Sequence, residues 1–126
     1  MKEKKIQLLL GDWLKETYPD LIFKIDVADG MRLTIGQAMC AKRMRSAGKH
    51  CDLVISKPNS QYHGMFLEIK QSTEKVYTKK SKLRSSKHIL CQLNMIARLL
   101  TLGYYADWGF GLQDCKDKII SYIDQK

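Results

Sequence analysis

A chain of 126 residues can bury one core but not two, so a single domain over residues 1–126 is expected. With 44% hydrophobic and 28% charged residues the composition is that of a soluble globular protein, and no apolar run approaches the roughly 18 residues that a membrane span needs. The 22 Lys and Arg against 13 Asp and Glu leave +9, with an isoelectric point near 9.4, a balance that points to a polyanionic partner.

The chain opens Met-Lys-Glu-Lys-Lys and passes directly into an amphipathic pattern, which does not suit a secretory signal; a cytoplasmic protein is expected. Ile6, Leu9, Leu10, Trp13 and Leu14 recur at helical spacing until Pro19, predicting a first helix over 2–17. "LIFKID" reads as a strand closed by the turn signal "ADG". "TIGQAMCAKRMRSAG" reads as a second helix closing at Gly48. "CDLVIS" and "GMFLEIK" then form a hairpin, with Pro58, Asn59 and Gly64 in its connection.

The basic stretch that follows lacks periodicity and reads as a loop. Ser85 or Ser86 caps a long helix in which Ile89, Leu93, Ile96 and Leu100 share a face, ended by Gly103. "YYADWGF" is a fourth strand, and "LQDCKDKIISYI" a closing helix resting on Ile119, Ile120 and Ile123. The expected order is αβαββαβα, an α/β fold.

The hairpin carries the chemistry. If Ser56 stands opposite Gly64, antiparallel pairing sets Asp52 opposite Glu68. Alternation then puts Val54, Phe66 and Lys70 on the same face as those acids, and sends Leu53, Ile55, Met65, Leu67 and Ile69 to the core. Two carboxylates opposed on a sheet repel, by up to about 1 kcal/mol, so something should compensate. A divalent cation such as Mg²⁺ would do so, taking one or two carboxylates and keeping waters and room for a phosphate. Lys70 would then orient or deprotonate a metal-activated water, or stabilise charge on the phosphate. A buried ion pair, with Lys70 bridging both acids, fits the same spacing.

Two further polar residues fall on or beside apolar stripes. Glu3 lines up with Ile6, Leu10 and Leu14, with Gln7 beside them, and is either a site acid or a frayed terminal residue in water. Gln92 stands at the edge of the face set by Ile89, Ile96 and Leu99, and is either a site residue or a surface glutamine. Cys40, Cys51, Cys91 and Cys115 form no C-x-x-C pair, so reduced thiols are expected and zinc is set aside.

Basic residues cluster twice. Lys42, Arg43, Arg45 and Lys49 form one group; Lys75, Lys79, Lys80, Lys82, Arg84 and Lys87 form another, in which Glu74 is the one acid. Each could be a solvated face, but two clusters in a small basic domain favour phosphate contacts.

Asp52, fifteen intervening residues and Glu68-Ile69-Lys70 resemble the D-x(n)-E-x-K signature of the PD-(D/E)XK nuclease superfamily. The setting ("EKKIQ", "GKHCDLVI", "GMFLEIK", "HILCQLNMIARLLTLGYYA" and a short terminal helix) is similar, over nearly the whole chain, to the small stand-alone VRR-NUC nucleases, many of them phage-encoded. Cys51 stands where that group usually has proline, and the segment from Gly48 to Asp52 looks shorter than usual.

The resemblance implies an αβββαβ core with a mixed central sheet flanked by helices, and a metal-dependent DNA endonuclease. It implies that Asp52, Glu68 and the Ile69 carbonyl hold Mg²⁺ or Mn²⁺, with Lys70 beside the attacking water. Glu3 takes the first-helix acid position, a further candidate metal ligand, and Gln92 the glutamine of the helix after the hairpin. A homodimer that resolves four-way (Holliday) junctions is expected from the two-fold symmetry of such a substrate, with Tyr104, Tyr105, Trp108 and Phe110 as either interface or core. Rival readings are a catalytically silent nucleic-acid-binding domain and an RNA or less selective nuclease with the same site.

Overall fold

Ile6, Leu10 and Leu14 recur one turn apart and are buried, which fixes one face of helix α1 (Glu3–Thr17). The computed structural model describes residues 1–26, 33–73 and 87–125. The turn signal at 28–30, the capping candidates Ser85 and Ser86, and Lys75, Lys79, Lys80, Lys82 and Arg84 lie outside them. The remaining elements are β1 (Phe23–Ile25), α2 (Ile35–Arg43), β2 (Leu53–Ile55), β3 (Met65–Lys70), α3 (Lys87–Thr101), β4 (Tyr105–Phe110) and α4 (Gly111–Asp124), in the expected order. No helix among the described residues is long and apolar enough to cross a membrane.

The strands make one mixed sheet in the order β1-β2-β3-β4. β1, β2 and β3 are antiparallel neighbours, while α3 carries the chain over to β4, which runs parallel to β3. Leu53 pairs with Leu67, Val54 with Phe66 and Ile55 with Met65. This is the expected register, and continued by one residue it sets Asp52 opposite Glu68.

β3 is covered on both faces. Leu53, Ile55, Met65, Leu67 and Ile69 pack against α1 and against Cys115, Ile119 and Tyr122 of α4. On the opposite face, Ile89, Met95, Ile96 and Leu99 of α3 pack with Cys51, Ala106 and Trp108. The pleat sends Phe66, Glu68 and Lys70 to that second face, so two charged groups lie under a helix.

Three expectations need correction. α2 ends at Arg43 rather than at Gly48: a Thr34–Gln37 capping box starts it, but none of its residues is buried, so no packing prolongs it. α3 buries Ile89, Gln92, Met95, Ile96 and Leu99, with Leu93 half-buried and Leu100 exposed, because its contact stripe is rotated toward Gln92. α4 rests on Cys115, Ile119 and Tyr122 with Ile123 at the margin, and Ile120 is exposed.

Close approach decides one position in β4. A Cβ on Gly109 would overlap Cys115 Sγ and stand 3.1 Å from Leu67 Cδ2. Gly109→Ala is therefore expected to destabilise the fold by about 1–3 kcal/mol through overpacking, read as a lower urea midpoint. An unchanged midpoint would contradict this packing of α4 on the sheet.

Candidate active site

Four buried polar side chains stand out among the described residues: Asp52, Glu68, Lys70 and Gln92, each at 2–4% exposure. They converge where the start of β2, the end of β3 and the first turns of α3 meet. Asp52 Oδ2 accepts a hydrogen bond from the Ile69 N–H at 2.9 Å. Within a strand the N–H and C=O of one residue face the same neighbour, so the Ile69 carbonyl is turned to the Asp52 side as well. Gln92 Nε2 donates to Glu68 Oε1 at 2.6 Å and stands 3.2 Å from His88 Nε2. Gln92 is thus inside the site, not on the surface.

The electrostatics are unbalanced. Burial, then the adjacent Asp52 carboxylate, push the Glu68 carboxyl well above the usual range, while Lys70 and Lys49 pull it the other way. Glu68 Oε2 and Gln92 Oε1 are buried without a hydrogen-bond partner among the described residues. Leaving such an oxygen unmade costs about 1–3 kcal/mol. Lys70 acts on Glu68 through its charge, and its Nζ lies 5.8 Å from the Trp108 ring centroid.

Hard oxygens in this arrangement suit a divalent cation: two carboxylates, an amide oxygen and a strand carbonyl. No three His, Cys, Asp or Glu side chains among the described residues gather tightly enough to hold an ion between them. One or two carboxylates with further oxygens are a donor set of the kind that Mg²⁺ takes. Burial, then Glu68 and Asp52, push the Cys51 thiol up to about 12, so it supplies no thiolate ligand at neutral pH. All four cysteines are free, Cys40 and Cys91 exposed, Cys51 and Cys115 buried.

Asp52, Glu68 and Gln92 open into a pocket of ≈ 140 Å³ whose other walls come from Glu3, Lys4 and Gln7 of α1, from Lys49 and from His88. Glu3 is half-buried there, so the α1 stripe does deliver an acid to the site. Of the basic candidates, Lys49 reaches the pocket, whereas Lys42, Arg43, Arg45 and Lys87 are exposed outside it, and Arg45 meets Asp26 at 3.6 Å. Sequence reasoning missed His88 and Lys4. The signal for His88 was its position one helical turn before Gln92, on the same face.

An acid with a raised folded-state pKa binds its proton more tightly folded than unfolded. Its stabilising contribution is full below the unfolded value near 4.5 and is lost as pH rises toward and through the folded value. In EDTA, the wild-type melting temperature is expected to fall as pH rises from mildly acidic to mildly alkaline. Glu68→Gln should flatten that slope and be more stable at the alkaline end by about 1–3 kcal/mol. Parallel melting profiles would contradict the burial assigned to Glu68.

No family model and no curated protein matches the chain. Among solved structures, one described as "VRR_NUC domain protein" superposes with a TM-score of 0.65 at 23% identity, covering 98% of this chain and 89% of the other. The chain shares that fold, an α/β arrangement with a mixed four-stranded sheet flanked by helices.

Proposed function

We propose that this chain is a VRR-NUC-type, Mg²⁺- or Mn²⁺-dependent nuclease that hydrolyses phosphodiesters in DNA. One observation carries the reading: the buried polar side chains of the described residues are the D…E-x-K set and its glutamine, with Asp52, Glu68 and Gln92 lining one pocket and two of their oxygens unpartnered among the described residues. Asp52, Glu68 and the Ile69 carbonyl would hold the cation, with Glu3 in reach of the same pocket. When bound, the cation supplies Lewis acidity toward the phosphate and the attacking water. Gln92 fixes the Glu68 carboxylate from behind. Lys70 offers its ammonium to the charge that develops on the phosphate, and orients the water beside it.

The substrate reading is a four-way junction cut by a homodimer, since a two-fold pair of sites matches two symmetry-related strands. Trp108 is core, and Tyr104, Tyr105 and Phe110 are half-buried against the cores, so that dimer would use other surfaces. The basic residues Lys42, Arg43, Arg45, Lys49, Lys79, Lys80, Lys82, Arg84 and Lys87 are the proposed phosphate contacts, in a cytoplasmic setting.

The test is cleavage of labelled four-way junction, flap, fork, duplex, single-stranded DNA and RNA with Mg²⁺, Mn²⁺ or EDTA, alongside light scattering. Paired cuts in the junction, metal-dependent and made by a dimer, are expected. Binding without cleavage would leave a silent nucleic-acid-binding domain. Preferential cutting of RNA would move the substrate, and equal rates on plain duplex or a monomer in both states would remove the resolvase reading.

A further inference from the structure

A second concavity adjoins the carboxylate pocket. It is a furrow of ≈ 430 Å³ between the segment carrying Gly48 and Lys49 and the outer side of α3, where Cys91, Asn94 and Arg98 line it. Lys49 belongs to the walls of both spaces, so the furrow and the pocket meet the same side chain. Cys91, Asn94 and Arg98 are exposed and recur at helical spacing, and Lys87 extends the same stripe to the start of α3. From Lys87 to Arg98 the stripe rises about 16 Å at 1.5 Å per residue. That covers several phosphates of a strand spaced at about 3.4 Å along a duplex axis.

The charge of the furrow is single-signed. Among the described residues its walls hold Lys49 and Arg98 and no carboxylate, and α3 itself contains no acid. The Arg98 guanidinium meets no carboxylate among the described residues, whereas Arg45, in the concavity on the other side of Asp52, is already paired with Asp26. The backbone makes room for this. Gly48 sits at φ 113°, and a Cβ there would stand 2.9 Å from Met95 Cε and 3.6 Å from Arg98 Nη1. The glycine lets the segment lie against α3 with Arg98 beside it.

Resting on the nuclease reading above, we propose that this furrow is the track of the substrate's phosphodiester backbone, with Arg98 and Lys49 as phosphate contacts, Asn94 as a neutral hydrogen-bonding group, and Lys49 at the turn into the carboxylate pocket. Cys91 on the same stripe is exposed and serves as a native reporter.

The test measures DNA affinity against salt in EDTA, where no cutting is expected, for the wild type, Arg98→Ala and Arg98→Lys. It also follows alkylation of Cys91 with and without saturating four-way junction or duplex DNA. Arg98→Ala is expected to reduce the log–log salt slope by about 0.9, the value of one phosphate contact, with Arg98→Lys restoring it. Bound DNA should slow alkylation of Cys91 several-fold relative to its rate in the free protein. An unchanged slope in Arg98→Ala, or Cys91 alkylated at its free rate under saturating DNA, overturns the track and leaves the carboxylate site standing. A wild type that binds neither DNA nor RNA overturns the nuclease reading, and the track with it.

Discussion

Asp52→Ala and Glu68→Ala are each expected to abolish cleavage, a loss of at least about 10²–10³-fold, while DNA binding stays intact or strengthens. The binding half follows from charge: neither substitution removes a cationic group, and each takes an acid away from the site proposed to meet a phosphate. The cleavage half follows from the proposed ligand set, in which Asp52 and Glu68 are the two buried carboxylates among the described residues and each would hold the cation. Alanine at Asp52 also strands the Ile69 N–H that it accepts. Asp52→Asn and Glu68→Gln keep the shape of the site, and they separate lost chemistry from lost packing. Near-normal turnover in both carboxylate variants, with contaminating nuclease excluded, would take this hairpin out of the active site.

Lys70→Met is expected to lower kcat by about 10²–10³-fold with KM little changed, because an ammonium aimed at developing charge acts mainly in the transition state. Methionine keeps the apolar stem in its buried place beside Trp108 while removing the charge. A second effect carries its own sign. Lys70 lowers the Glu68 pKa, so its removal raises that pKa further and the acidic limb of the pH–rate profile should move to higher pH. A variant with wild-type kcat and an unshifted limb would make Lys70 a packing residue only. Arginine is not expected to rescue, since its broad planar head does not fit the place of a compact ammonium.

The centre of the site was legible because strand geometry leaves little freedom. Pro58, Asn59 and Gly64 marked the connection, and the register with its alternation then placed Asp52, Glu68 and Lys70 together. Helix faces were less legible. In α3 both the stripe through Leu93 and Leu100 and the stripe through Gln92 and Leu99 obey the helical period, and counting apolar residues favours the first. The fold chose the second because its helix covers a polar site, and Gln92 has Glu68 to meet. The same ambiguity promoted Ile120 over Cys115 and Tyr122 in α4. The end of α2 carried no signal from packing, since none of its residues is buried.

Asp52 and Glu68 are proposed to form a divalent-cation site, and calorimetric titration of Mn²⁺ into the protein tests it most directly. Run in two buffers of different ionisation enthalpy, it also counts protons, which a raised Glu68 carboxyl must give up to bind metal. Saturable binding with proton release at neutral pH is expected, both lost in the Asp52→Asn/Glu68→Gln double variant. Binding of equal strength and proton count in that variant, or no binding by a wild type that still cleaves in EDTA, would contradict it.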